Sequence, residues 1–198
     1  NQIKQLIPEE KDLSVLVVGL GNREVTPDAL GPNVVNNLLI TRHMIKEFGK
    51  AAYEEEKNHL VSGIVPGVMA QTGMETAEIL RGIIKETKPD MVVVIDALAA
   101  RSTKRLNRTI QITNTGIHPG SGVGNNRNAI TQESLGVPVI AVGIPTVVDA
   151  ATIVKDAMDN TLSSQNVLKN MFVTPKDVDE NVKRLSYTIS EALNIALS

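Results

Sequence analysis

The chain contains no cysteine among its 198 residues. That excludes disulfides, thiolate metal sites and a cysteine nucleophile, and it fits a reducing interior. Tryptophan is absent too. The aromatic side chains are two Tyr and two Phe, which leaves little to stack on bases or sugars. Neither sign of charge prevails: 20 Lys and Arg face 22 Asp and Glu, a net charge of −2, so no global basic field recruits nucleic acid. Apolar runs such as Met91–Ile95 are far too short to cross a bilayer, and no charged-apolar-small leader opens the sequence. No segment repeats, and none is of low complexity. What the chain does have is 42% apolar residues, mostly Val, Ile, Leu and Ala, enough for a sizeable core without staples.

Short apolar runs alternate with longer amphipathic stretches, the pattern of an α/β fold. Leu13–Gly19, His59–Pro66, Met91–Asp96 and Val137–Gly143 read as strands, and Arg108–Thr113 alternates like an edge strand. Helices are expected over Asp28 to about Phe48, Glu75–Thr87, Asp149–Leu162 and Lys176–Leu197. Continuous apolar strands joined by helices predict a mainly parallel sheet with helices on both faces. Gly116–Asn128 is the one long irregular loop, rich in Gly and Asn.

In open sheets of this kind ligands bind beyond the carboxyl ends of the strands. Asp28, Asp96 and Asp149 fall at such places. A helix-capping role explains Asp28 and Asp149 without any chemistry. Asp96 resists that explanation, because a carboxylate directly after Val92–Ile95 is costly to bury unless it is paired or hydrogen-bonded. The turn Gly19-Leu20-Gly21-Asn22 follows a strand as a dinucleotide fingerprint would, but Glu24 stands where the third glycine belongs. A tight turn with close backbone packing accounts for it equally. The loop from Gly116 to Arg127 offers amides, Gly120, Gly122 and Gly124 among them, to an anion or oxyanion, with plain loop flexibility as the rival. His118 is the only histidine in that loop, and His43 and His59 read as structural. His118 with two Asp would make a metal set, yet no HxxxH or HxxE spacing supports one. A serine nucleophile has no Gly-x-Ser-x-Gly elbow to sit on. Arg101, Lys104, Arg105 and Arg108 form either a solvated loop or a grip for substrate carboxylates, with Arg127 as a further candidate.

Taken together, several phrases resemble the germination protease family. They are GLGNREVTPDALGP (Gly19–Pro32), PGVMAQTGMET (Pro66–Thr76), VIDALAARS (Val94–Ser102), NTGIHPGSGVGNNR (Asn114–Arg127), GVPVIAVGIPTVVDAATI (Gly136–Ile153) and FVTPKDVD (Phe172–Asp179). The match runs in order from about residue 13 to the end. The resemblance implies a fold like that of hydrogenase maturation proteases. It also implies an endopeptidase that degrades small acid-soluble spore proteins in the cytoplasm of the germinating spore core. Family members begin as zymogens with a propeptide and assemble as homotetramers, with no membrane and no direct nucleic acid as partner. The family's proposed catalytic aspartates map onto Asp28 and Asp96, an atypical aspartic peptidase needing no cofactor or metal. By looser analogy with nickel-binding hydrogenase relatives, His118 would join them in a metal-dependent endopeptidase. A third reading is a hydrolase-like core kept only as a binding scaffold. Residues 1–198 then read as one catalytic domain, with family residues that include the propeptide lacking in front and a loop lacking near 163–165.

Overall fold

The computed structural model describes residues 2–9, 12–49, 59–124, 127–158 and 171–198. The loop near 163–165 and the end of the helix expected to reach Leu162 lie outside them. Four parallel strands form the body of the sheet: β1 (Ser14–Gly19), β2 (Leu60–Ile64), β3 (Met91–Ala100) and β5 (Val139–Asp149). The strand order is β2-β1-β3-β5-β4, with β4 (Gln111–Thr113) antiparallel at the edge. A two-residue β6 (Phe172–Val173) adds antiparallel to the end of β5.

Helices α1 (Leu30–Asn36), α2 (Arg42–Phe48), α3 (Met69–Thr72), α4 (Thr76–Thr87), α5 (Gln132–Leu135), α6 (Ala150–Ala157) and α7 (Val178–Leu197) make up the rest. The alternation of the strands divides the core in two. Val15, Val17, Val93, Ile95, Val142 and Ile144 pack with α1 and α7 on one face. Leu16, Val18, Val92, Val94 and Val139 pack with Leu80 of α4 and Leu135 of α5 on the other. Burial on both faces is why these strands read as unbroken apolar runs.

Four elements differ in extent from the sequence reading. The helix expected from Asp28 to Phe48 is a 3₁₀ turn, Thr26–Asp28, followed by α1 and α2 with a break at 37–41. The break is imposed from outside. Asn194 of α7 accepts the Leu39 N–H and donates to the Asn37 carbonyl. Thr41 Oγ1 donates to His59 O at 2.6 Å and accepts the Val61 N–H at 2.9 Å. The β4 strand is shorter than Arg108–Thr113, beginning only at Gln111. The β3 and β5 strands run on past Asp96 and Gly143, so Asp96 lies within its strand rather than at the end.

Thr41 is 3% exposed and serves two buried backbone groups. Replacing it with Val leaves both without a partner, and urea unfolding should show a loss of about 1–3 kcal/mol.

Candidate active site

Pairing between β1 and β3 ends at Gly19 and Ile95. From Asp96 onward β3 keeps only β5 beside it, and a cleft opens over the end of β1. Thus Asp96 sits where the crevice rule for open sheets requires, although its own strand continues. The chain leaving β1 turns sharply over this point. Gly31 of α1 lies so close that a Cβ would collide with the carbonyl oxygens of Leu20 and Ile95. Gly21 has a φ of 113° and abuts the Asp28 carbonyl, so the glycines here serve close backbone packing.

That packing carries Asp28 into the cleft. Its carboxylate caps no helix: α1 has no side-chain cap, and Asp28 Oδ2 accepts the Asn22 N–H at 2.8 Å instead. Burial raises the Asp28 pKa above the ordinary carboxylate value, and the Asn22 bond works against that. Asp96 is 6% exposed. Burial first, and then the charge of Asp28, push its pKa up to about 8, with the Ala97 N–H opposing. The two aspartates line one cavity of about 480 Å³, together with Val25, Val68, Leu98 and Phe172.

A second cavity of about 360 Å³ adjoins the first, and Asp96 and Gly120 border both. Arg101, Arg105, Gln111, His118, Ser121 and Gly122 line it. The basic cluster therefore divides: Arg101 and Arg105 reach this lobe, while Lys104 and Arg108 line neither. Arg127 lines the first lobe, where its Nη1 is 3.9 Å from Glu75 Oε1 and donates to Met69 Sδ at 3.1 Å. Within the glycine-rich loop, Ser121 N–H donates to His118 O and Gly124 N–H to Ser121 O, and Gly124 lines neither lobe.

His118 is exposed and borders the second lobe alone. Among the described residues no three His, Cys, Asp or Glu side chains are gathered to hold a metal ion. Asp149 caps α6, accepting the Thr152 N–H at 2.8 Å and the Thr152 hydroxyl at 2.6 Å. His59 accepts the Leu13 N–H on Nδ1 at 3.2 Å, a structural bond between the residues that precede β1 and β2. Burial lowers its pKa despite the nearby Asp12.

The sequence reading passed over two groups at the cleft. Phe172 closes its apolar side. Thr146, 1% exposed, donates to the carbonyl of Pro27, the residue before Asp28. A hydroxyl inside the otherwise apolar run Val139–Val148 was the available signal.

Among described residues no helix is long and apolar enough to cross a membrane. The family model described as "Germination protease" matches residues 2–167. The germination protease of Caldanaerobacter subterraneus is 49% identical, in an alignment covering 100% of this chain and 70% of that protein. That of a Geobacillus strain is 60% identical over 75% of this chain and 40% of its own length. Among solved structures, the [NiFe] hydrogenase maturation protease HycI of Thermococcus kodakarensis superposes with a TM-score of 0.51 at 16% identity, covering 100% of this chain and 99% of that one. At that identity the likeness concerns the fold, a mainly parallel sheet between helices. The extent of the family match and the identity to its named members establish that this chain belongs to the germination protease family and is a peptidase.

Proposed function

We propose that the chain is the catalytic part of an endopeptidase that begins the degradation of small acid-soluble spore proteins at germination, using Asp28 and Asp96 to activate water. The observation that carries this reading is the pair of carboxylates on one cleft with unequal hold on their protons. At neutral pH Asp96 keeps its proton, and Asp28, half-buried and bonded to an N–H, is the ionised partner. Asp28 therefore takes the proton from water as that water attacks the scissile carbonyl. Asp96 gives its proton to the developing oxyanion or the leaving amine. Gly120, which lines both lobes, would offer its N–H to the same carbonyl.

The two lobes suggest how a peptide lies. Arg101 and Arg105 would receive an acidic side chain in the second lobe. Val25, Val68, Leu98 and Phe172 would receive an apolar one in the first. Arg127, engaged with Glu75, shapes the first lobe more than it grips substrate. The spore-core location, the zymogen and the homotetramer belong to the same reading and rest on family membership.

Incubating the protein with a purified small acid-soluble spore protein, and sequencing the fragments, tests the substrate. Discrete internal cuts are expected; an intact substrate refutes the assignment. Asp28→Asn and Asp96→Asn should each lower kcat by at least about 10²–10⁴-fold with the fold retained. Wild-type activity should fall on the alkaline side near pH 8, as Asp96 loses its proton, and on the acid side as Asp28 gains one.

Stability should follow the same group. A pKa raised in the folded state means that the unfolded chain releases a proton which the folded protein keeps. The contribution of the Asp96 carboxyl to stability is thus fully present below about pH 3.8 and is lost as pH rises toward 8. Thermal unfolding should show Asp96→Asn gaining on the wild type across that window. Arg101 and Arg105 are exposed, so Ala at either should raise KM for an acidic peptide over its Gln counterpart only modestly. About 1 kcal/mol or less is expected, weakening with salt. Equal losses on both peptides would make the cluster a solvated loop.

A further inference from the structure

Strand β5 leaves its ladder at one place. Leu98 of β3 pairs with Pro145 and Ala99 pairs with Val147, so Thr146 is an extra residue bulged out between them. Bulges are rare between parallel strands, and they re-aim a side chain, often beside an active site. Pro145 suits the position because it has no N–H to give to a ladder. Bonds from outside the pair fasten the bulge. The Asn107 N–H, delivered from a left-handed φ of 53°, donates to Pro145 O at 2.8 Å. Thr174 Oγ1 donates to Thr146 O at 2.8 Å. Thr146 Oγ1 in turn donates to Pro27 O at 2.6 Å, between residues 119 positions apart.

Pro27 directly precedes Asp28 in a turn whose own bonds are short-range, Asp28 N–H to Val25 O and Asn22 N–H to Asp28 Oδ2, so that the Thr146 bond ties it across the cleft to β5. No side chain caps the 3₁₀ turn Thr26–Asp28, and Arg23–Val25 before it are exposed. We propose that Thr146 is a positioning residue of the peptidase reaction: the bulge sets its hydroxyl on Pro27 O and so holds the Asp28 turn against Asp96. This rests on the aspartate-pair reading. Thr146 lines the shared cleft but donates its proton to backbone, so it acts through Asp28 and not on the substrate.

The test compares Thr146→Val, which keeps the shape and removes the donor, with Thr146→Ser, which keeps the donor. Thr146→Ala is the second donor-free variant should Val fail to fold. On a purified small acid-soluble spore protein, Val should lower kcat by about 10²-fold with KM nearly unchanged, the scale expected for a misplacement of roughly 1 Å. Ser should restore most of the rate. A second readout needs no substrate. In a carbon-13 NMR titration, Asp96 of the Val protein should lose its proton at lower pH than wild type, because the Asp28 charge has moved away. Ser should titrate as wild type. An Asp96 titration unchanged in Val and Ala, or a Ser protein that behaves like Val, overturns the proposal. If Asp28→Asn and Asp96→Asn stay active, the aspartate pair is what fails, and the titration still decides whether Thr146 holds Asp28 to Asp96.

Discussion

Asp96 follows Val92–Ile95, four residues with no exposed surface, in the middle of the sheet. A carboxyl group in that position gains little by ionising, since charge there would be far from water and next to Asp28. Much of the surrounding architecture accommodates this one group. Strand β1 stops one residue short of it, α1 crosses on a glycine, and the turn of Asp28 folds over the opening. The result is a site in which burial raises the pKa of two chemically identical side chains, and Asp96, the more deeply buried, is pushed up to about 8. No exotic residue is required. Unequal burial is sufficient.

The cleft is asymmetric in a way that composition conceals. Overall charge is nearly balanced, yet one side of Asp96 presents Arg101 and Arg105 while the other presents Val25, Val68 and Phe172. The glycine-rich segment at residues 116–124 fits between them because its backbone can approach closely: Gly122 packs against Ala99 of β3. Glycines permit such closeness at residues 116 and 122. Near β1, too, they let backbone approach backbone, as the contact of Gly21 with Asp28 illustrates.

Local pattern was a good guide to elements and a poor guide to their ends. Strands β1 to β5 and helix α4 were legible because period and burial are short-range properties of the chain, whereas the two-residue β6 was not. The break at residues 37–41 was not, since it depends on Asn194 and on Thr41 meeting β2. Nor was the extension of β3 and β5, because polar and proline-containing residues remain in a strand when a neighbouring strand and a bulge hold them there. Asp149 illustrates a correct local reading: a helix cap needs only its own next few residues.

The amino-acid sequence was enough for the family and the α/β class, and it singled out Asp28 and Asp96 as candidates for the chemistry. Those follow from residue identity, periodicity and long matching phrases. Only the folded chain shows that the two aspartates share a cleft, which of them is buried more deeply, which arginines reach it, and that Thr146 touches the turn of Asp28. Each of these depends on distance through space or on exclusion of water. Neither quantity is written in any local stretch of the chain.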